Sequence, residues 1–320
     1  MDQKLLDSLG VVDWGYTEES KPLSFEHYKK WVQSSQHGPL NYLADHRLNL
    51  RSDIKNVYPE FQSALVFLFS YRPAKKWMIE NNHHEIAAYA LGFEGDDYHY
   101  ELKRRLELIG TTLDDIESVV TLDIQPVLER DLAVRAGLGW FGKNSMMINQ
   151  KEGSYFIIGS LLLNKKLDLE TKASDVDHCG HCNLCIEACP TDALDPETRT
   201  LNAKLCISTY TIELFKDAPA PIGMENSRGE IFGCDICQDV CPWNKKPLQK
   251  TLAALSLPEK FSFLKDWFYT SPKLELMKRL EDMSNRELKK ILRGTALDRP
   301  GRVGWMKNLK AYFRSNRNDL

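Results

Sequence analysis

Cysteine is absent from residues 1–178 and again from residues 242–320. A core-filling cysteine has no reason to avoid most of a chain, so the eight that occur, all between Cys179 and Cys241, mark a site. No apolar run of about 18 residues occurs either, which excludes a membrane-spanning helix and a membrane partner. The start, Met1-Asp2-Gln3-Lys4-Leu5-Leu6-Asp7, lacks the basic residues and apolar centre of a secretory signal. A cytoplasmic location is the expectation. Thiols stay reduced there, so dense cysteine reads as metal or redox chemistry rather than disulfides. An excess of one charge is lacking too: the net of −3 gives no whole-molecule field for a polyanion. What is present is 320 residues, 42% hydrophobic and 27% charged, a globular composition with room for one large domain or two ordinary ones.

The cysteine spacing says more than the count. Cys179-x2-Cys182-x2-Cys185-x3-Cys189-Pro190 reproduces the run that holds cubanes in two-cluster ferredoxins. Cys234-x2-Cys237-x3-Cys241-Pro242 repeats it with one cysteine missing, which Cys206 can supply. Three closely spaced thiolates take three corners of a cubane, and the cysteine before proline crosses to the other cluster. That rule assigns Cys179, Cys182, Cys185 and Cys241 to one [4Fe–4S] cluster, and Cys234, Cys237, Cys189 and Cys206 to the second. Two zinc sites would use paired CxxC knuckles and would not need the CP endings. His178 and His181 read as packing or hydrogen-bonding near a cluster, because eight thiolates already fill two cubanes. Two adjacent clusters form a wire, and a wire needs a donor outside and an acceptor at its end.

The remaining segments supply a host. Residues 1 to about 60 read as helical and polar, with a helix from a Ser24 cap through Val32. Ser63–Tyr71 and Tyr155–Leu163 are continuous apolar runs, expected as buried strands. Ser118–Asp123 reads as a strand with an acid at its end. Tyr98–Leu108 and Pro126–Ala136 read as helices, the latter with proline near its start. The expected fold is α+β: an N-terminal α/β catalytic domain (1–168), a ferredoxin-like two-cluster insert (169–247) and a helical, basic C-terminal region (248–320). From Arg286 to Arg317 the basic residues Lys289, Lys290, Arg293, Arg299, Arg302, Lys307, Lys310 and Arg314 face only Glu287 and Asp298, with Trp305, Tyr312 and Phe313 interleaved. That pattern fits a solvated helix face or a phosphate-binding surface.

Gly137-Leu138-Gly139-Trp140-Phe141-Gly142 matches G-x-G-x-x-G, but it follows an expected helix instead of a strand, so it is not a dinucleotide fingerprint. Its glycines are expected to let the backbone approach something large and flat, or to turn.

Together with the cluster runs, Pro126–Arg130, Ala136–Asn144, Ala188-Cys189-Pro190-Thr191, Cys206–Glu213 and Phe232–Asn244 make the chain, from about residue 20 to 310, resemble the epoxyqueuosine reductases. The resemblance implies a base-off cobalamin without a histidine ligand, and no Asp-x-His-x-x-Gly segment occurs here. It implies a tRNA carrying epoxyqueuosine in its anticodon loop as substrate, an external electron donor and a monomer. Asp123 matches the family's proton donor, expected to have a raised pKa beside an apolar cofactor face. Arg51, Asp97, Asp123, Asn144, Met147, Ile158 and Ser208 match cobalamin-lining positions. Lys289, Lys290, Arg293, Arg299, Arg302 and Lys307 become the expected tRNA surface. Phe93-Glu94-Gly95-Asp96 is an insertion before Asp97-Tyr98-His99. The chain also lacks the longer C-terminal helical-repeat region of many members. An electron-transfer protein without its own substrate is the alternative.

Overall fold

The computed structural model describes residues 2–172, 177–216 and 218–315. A short helix α1 (Gln3–Ser8) leads into strand β1 (Val11–Thr17). Helices α2 (Phe25–Gln33) and α3 (Arg47–Leu50) precede β2 (Ser63–Ser70), and α4 (Arg72–Glu80) and α5 (Tyr98–Gly110) follow it. Next come β3 (Ser118–Thr121), α6 (Glu129–Arg135), the two-residue strands β4 (Trp140–Phe141) and β5 (Met147–Ile148), and β6 (Phe156–Leu163). Short helices α7 (Leu184–Glu187) and α8 (Ile236–Asp239) carry cluster cysteines. Helices α9 (Pro242–Gln249), α10 (Lys273–Asp282), α11 (Asn285–Leu292) and α12 (Gly301–Ser315) complete the chain. No helix among the described residues is long and apolar enough to cross a membrane.

The main sheet has the order β1-β2-β6-β3, and every pairing in it is antiparallel. β2 and β6 form its centre, which explains their unbroken apolar sequence: both faces are covered. Leu65, Phe67, Phe69, Leu161 and Leu163 face α5, through Leu102, Leu106 and Ile109. Ala64, Val66, Leu68, Ile158 and Leu162 face α6, through Leu132 and Ala133. Each fully buried Leu or Phe here stabilises the fold by about 1.5–3 kcal/mol. The first of these cores continues through Phe232 into Leu276, Leu288, Leu292 and Trp305, so the C-terminal helices share a core with the sheet.

Three expectations need correction. The first 60 residues are not all helical, because β1 lies among them. Val11-Val12-Asp13-Trp14-Gly15-Tyr16-Thr17 has no clear alternation, and pairing with β2 makes it a strand. Ser24 stands at the N-cap of α2 without a side-chain cap bond; its N–H instead donates to Asp131 Oδ2 at 2.7 Å. α6 begins at Glu129 and not at Pro126. Residues 122–127 form a turn, in which Leu122 N donates to the Gln125 side chain at 2.8 Å and Val127 N to Gln125 O at 2.8 Å.

The double-cluster segment is fastened to the sheet by a buried charge network. Lys75 on α4, 2% exposed, reaches Asp235 at 3.1 Å and Asp239 at 2.5 Å, both on the stretch that carries Cys234 and Cys237. Tyr155 OH also donates to Asp239, and Arg228 binds it at 2.7 Å. Backbone bonds from Ala87 N to Phe232 O and from Ile231 N to Glu85 O, each 2.7 Å, add a strand-like seam.

Candidate functional site

Asp123 lies in the turn after β3, two residues beyond its last strand residue. It does not cap α6. Tyr98 OH donates to its Oδ2 at 2.5 Å, and His99 Nε2 lies 2.8 Å from its Oδ1. On the other side of the same ring, His99 Nδ1 is 2.7 Å from Asp97 Oδ1. Asp97 is the N-cap of α5 and accepts from His99 N at 3.0 Å, so the helix start itself sets the imidazole. Asp97 N donates in turn to Gly294 O at 2.7 Å, which ties this start to the C-terminal helices. The inserted Phe93–Asp96 folds into a tight turn with left-handed Phe93, Glu94 and Gly95, and leaves Asp97 in register at the cap.

With a carboxylate on each nitrogen, His99 is doubly a donor. Burial opposes its charging, but the bonds to Asp123 and Asp97 prevail and lift its pKa to about 9. For Asp123, burial pushes upward, yet His99, Tyr98 and Arg299 together hold the carboxyl below its ordinary value. The raised pKa expected from the sequence is therefore corrected: at neutral pH the proton resides on His99. Asp123 is the more open partner, its side chain 43% exposed against 19% for His99, although protein surrounds it on most sides. Burial does raise Glu129, whose charged neighbours are Arg130, Asp123 and Arg51.

Arg51 is 8% exposed and its Nη1 is buried without a hydrogen-bond partner; its guanidinium sits 5.8 Å from the Tyr28 ring centre. A buried guanidinium nitrogen without a protein partner fits a ligand bearing phosphate or amide oxygens. Ser208 is half-buried at the head of a π-turn (Thr209–Glu213), whose last residue holds Arg299 Nη2 at 2.8 and 2.9 Å. These residues fit a corrin. Asn144, Met147 and Ile158 have packed side chains: Asn144 donates to Cys237 O at 3.3 Å, and the other two belong to the core under α6. Their side chains are therefore not free to line a cofactor. The glycines of the 137–142 motif approach the chain itself, not a flat ligand. A Cβ on Gly137 would meet Lys172 O at 1.3 Å, and one on Gly139 would meet Ile148 O at 2.0 Å. A cavity of about 670 Å³ beside Trp14, Gly137 and Asp168 contains none of the expected site residues.

The thiols separate into two sets. Burial raises Cys185 to about 11, and the thiols that add to it are Cys241, Cys179 and Cys182. Burial also raises Cys237, with Cys206 and Cys189 as its nearest thiol contributors, and Cys234, with Cys237 and Cys206. This grouping is the one the crossed spacing rule expects, except that Cys185 also bears on Cys237. Ala193 N donates to Cys189 Sγ at 3.4 Å.

The basic C-terminal residues divide. Lys289, Lys290, Arg293 and Arg299 are exposed. Lys307 is not a surface residue: it is 8% exposed, its ammonium donates to Tyr210 O, and burial lowers its pKa to about 8. Arg302 donates to Leu280 O at 2.6 Å and Glu281 O at 3.0 Å, closing the end of α10. Trp305 is fully buried. Helical packing, invisible in a charge count, turned Lys307 and Trp305 inward and left Arg302 half-exposed against the end of α10. Arg317 lies outside the described residues.

Residues 178–244 match the family model described as a 4Fe-4S double cluster binding domain, and residues 51–125 match the model described as epoxyqueuosine reductase QueG, DUF1730. The epoxyqueuosine reductase of Cyclobacterium marinum is 34% identical over 95% of this chain and 91% of its own length. The chain belongs to the epoxyqueuosine reductase family. A crystal structure of an epoxyqueuosine reductase with an epoxyqueuosine-modified tRNA-Tyr stem loop matches with a TM-score of 0.72 and 25% identity, over 97% of this chain and 80% of that one. The Bacillus subtilis enzyme, in a structure whose aspartate-bearing catalytic loop is swung out of the active site, matches equally well: TM-score 0.72, 25% identity, 97% and 80% coverage. Membership in this family makes the chain an oxidoreductase of tRNA modification with an iron–sulfur double-cluster domain.

Proposed function

We propose that the chain reduces epoxyqueuosine to queuosine at the wobble position of tRNA, with cobalamin as cofactor and two [4Fe–4S] clusters as the electron route. The observation that carries this reading is Asp123, held between His99 and Tyr98 on a chain that also bears a double-cluster domain. The overall change breaks both C–O bonds of the epoxide, forms a C=C bond, consumes two electrons and two protons, and releases one water.

Cobalamin, when bound, supplies a reduced metal able to attack or reduce an epoxide carbon. The protein supplies the proton. Asp123 faces the open site and relays to the departing oxygen the proton that His99 holds across the 2.8 Å hydrogen bond. Tyr98 and Asp97 hold the two groups in line. His99 has both nitrogens engaged by carboxylates and is not free to ligate cobalt, in keeping with base-off binding. Arg51, Ser208 and the backbone near Asn144 hold the cofactor. Cys179, Cys182, Cys185 and Cys241 hold one cluster; Cys189, Cys206, Cys234 and Cys237 hold the other. Lys289, Lys290, Arg293 and Arg299 meet tRNA phosphates. An external donor feeds a monomer in the cytoplasm.

The test is an anaerobic assay with cobalamin-loaded protein, a strong reductant and epoxyqueuosine-containing anticodon RNA, read by nucleoside mass spectrometry. The expected result is loss of one oxygen that requires cobalamin and disappears in Asp123→Asn. Intact clusters with no corrin binding and no conversion would leave an electron-transfer protein as the better reading.

A further inference from the structure

Trp140 sits 5% exposed at the start of β4, and its indole Nε1 is buried with no hydrogen-bond partner in the protein. An unpaired buried donor is costly, and native structures satisfy nearly all of them. Solvent does not reach this atom. Trp140 packs with Ile148 and Cys241, and Cys179 and Trp243 close over them. The rings of His178 and Trp243 meet the indole edge-on, at centroid distances of 4.6 and 5.0 Å. The Gly139 backbone lies so close to Ile148 O that any side chain there would force the β4–β5 hairpin apart, so the glycine motif presses Trp140 against the cysteines.

We propose that Trp140 Nε1–H donates a hydrogen bond to a sulfur of the first cluster and so raises that cluster's reduction potential. The inference rests on the reading of Cys179, Cys182, Cys185 and Cys241 as ligands of one [4Fe–4S] cluster. The reduced cluster carries one more negative charge than the oxidised one, so a donor aimed at its sulfur stabilises the reduced state preferentially. Solvent does not reach the indole Nε1, and a hydrogen bond shielded from water is stronger. The motif that resembles a nucleotide fingerprint thereby acquires a role in electron transfer.

Trp140→Phe keeps the ring and removes the donor. Redox titration of the anaerobic holoprotein, followed by EPR, should show the first cluster's midpoint moved to a more negative value, the second's unchanged and the iron content unchanged. Cys182→Ala identifies which signal belongs to the first cluster. Protein carrying 15N-indole tryptophan should also show coupling of an indole nitrogen to the reduced first cluster in pulsed EPR, and the coupling should persist in Trp243→Phe. This second measurement decides the matter even if Trp140→Phe loads its clusters poorly. An unmoved potential with both clusters present, or no coupling in the labelled native sequence, overturns the proposal. Failure of the native protein to hold two clusters would instead overturn the cluster assignment on which it rests.

Discussion

His99 Nε2 lies 2.8 Å from Asp123 Oδ1, while its Nδ1 lies 2.7 Å from Asp97 Oδ1. One ring thus bridges the start of α5 and the turn after β3, and it places a proton beside the exposed carboxylate without requiring that carboxylate to be protonated at rest.

The pH dependence follows from the two shifts. His99 is raised from 6.5 to about 9, so the stability it contributes is complete below 6.5 and is lost as pH rises through about 9. Asp123 is lowered, so its contribution is present above 3.8 and is lost as pH falls. Turnover should therefore decline above pH about 9. His99→Gln should cut kcat by about 10²-fold or more and abolish that alkaline limb. A variant with native kcat and the native pH profile would remove His99 from the proton path.

Lys75→Met leaves Asp235 and Asp239 buried without their cation. A loss of about 3–5 kcal/mol is expected. Anaerobic denaturant unfolding of the holoprotein checks it, and an unchanged midpoint would show that Arg228 and Tyr155 suffice.

Gly137 has φ +76° and its Cβ position is occupied by Lys172 O. Gly137→Ala should lower the thermal midpoint, by at least the equivalent of about 1 kcal/mol. A neutral result would mean that the segment at Lys172 shifts freely.

The crossed ligation makes a distinctive prediction. Cys241→Ala should alter the EPR signal of the first cluster, and Cys189→Ala that of the second, although each cysteine belongs by sequence to the opposite run. Signals assigned the other way round would refute the crossing.

Charge removal on the exposed basic residues should separate them from the buried one. Lys289→Ala, Lys290→Ala and Arg293→Ala combined should weaken anticodon-RNA binding and reduce the salt slope by up to about 0.7–0.9 per lost phosphate contact. Lys307→Met should leave that slope as it is. Equal effects from both variants would place the RNA elsewhere.

Much of this was legible in the linear chain. Thiolate spacing is a local constraint: a cubane held by CxxCxxC leaves little freedom, so the expected ligands and their crossing follow from the spacing. The central strands were legible because a strand covered on both faces has no polar positions. β1 was not, since Asp13 and Gly15 interrupt its apolar pattern and its partner strand is about fifty residues away.

Sequence by itself determined the double-cluster domain and the family, because each is written in residue types at short, rigid spacings. Tertiary structure alone decided that His99 lies between two carboxylates that favour its charged form, that Lys307 and Trp305 turn inward, and that the Gly-Trp-Phe-Gly motif serves its own chain. Protonation depends on which charges lie within a few ångströms, and burial on which helix face meets a neighbour; both are fixed by contacts between segments far apart in the chain.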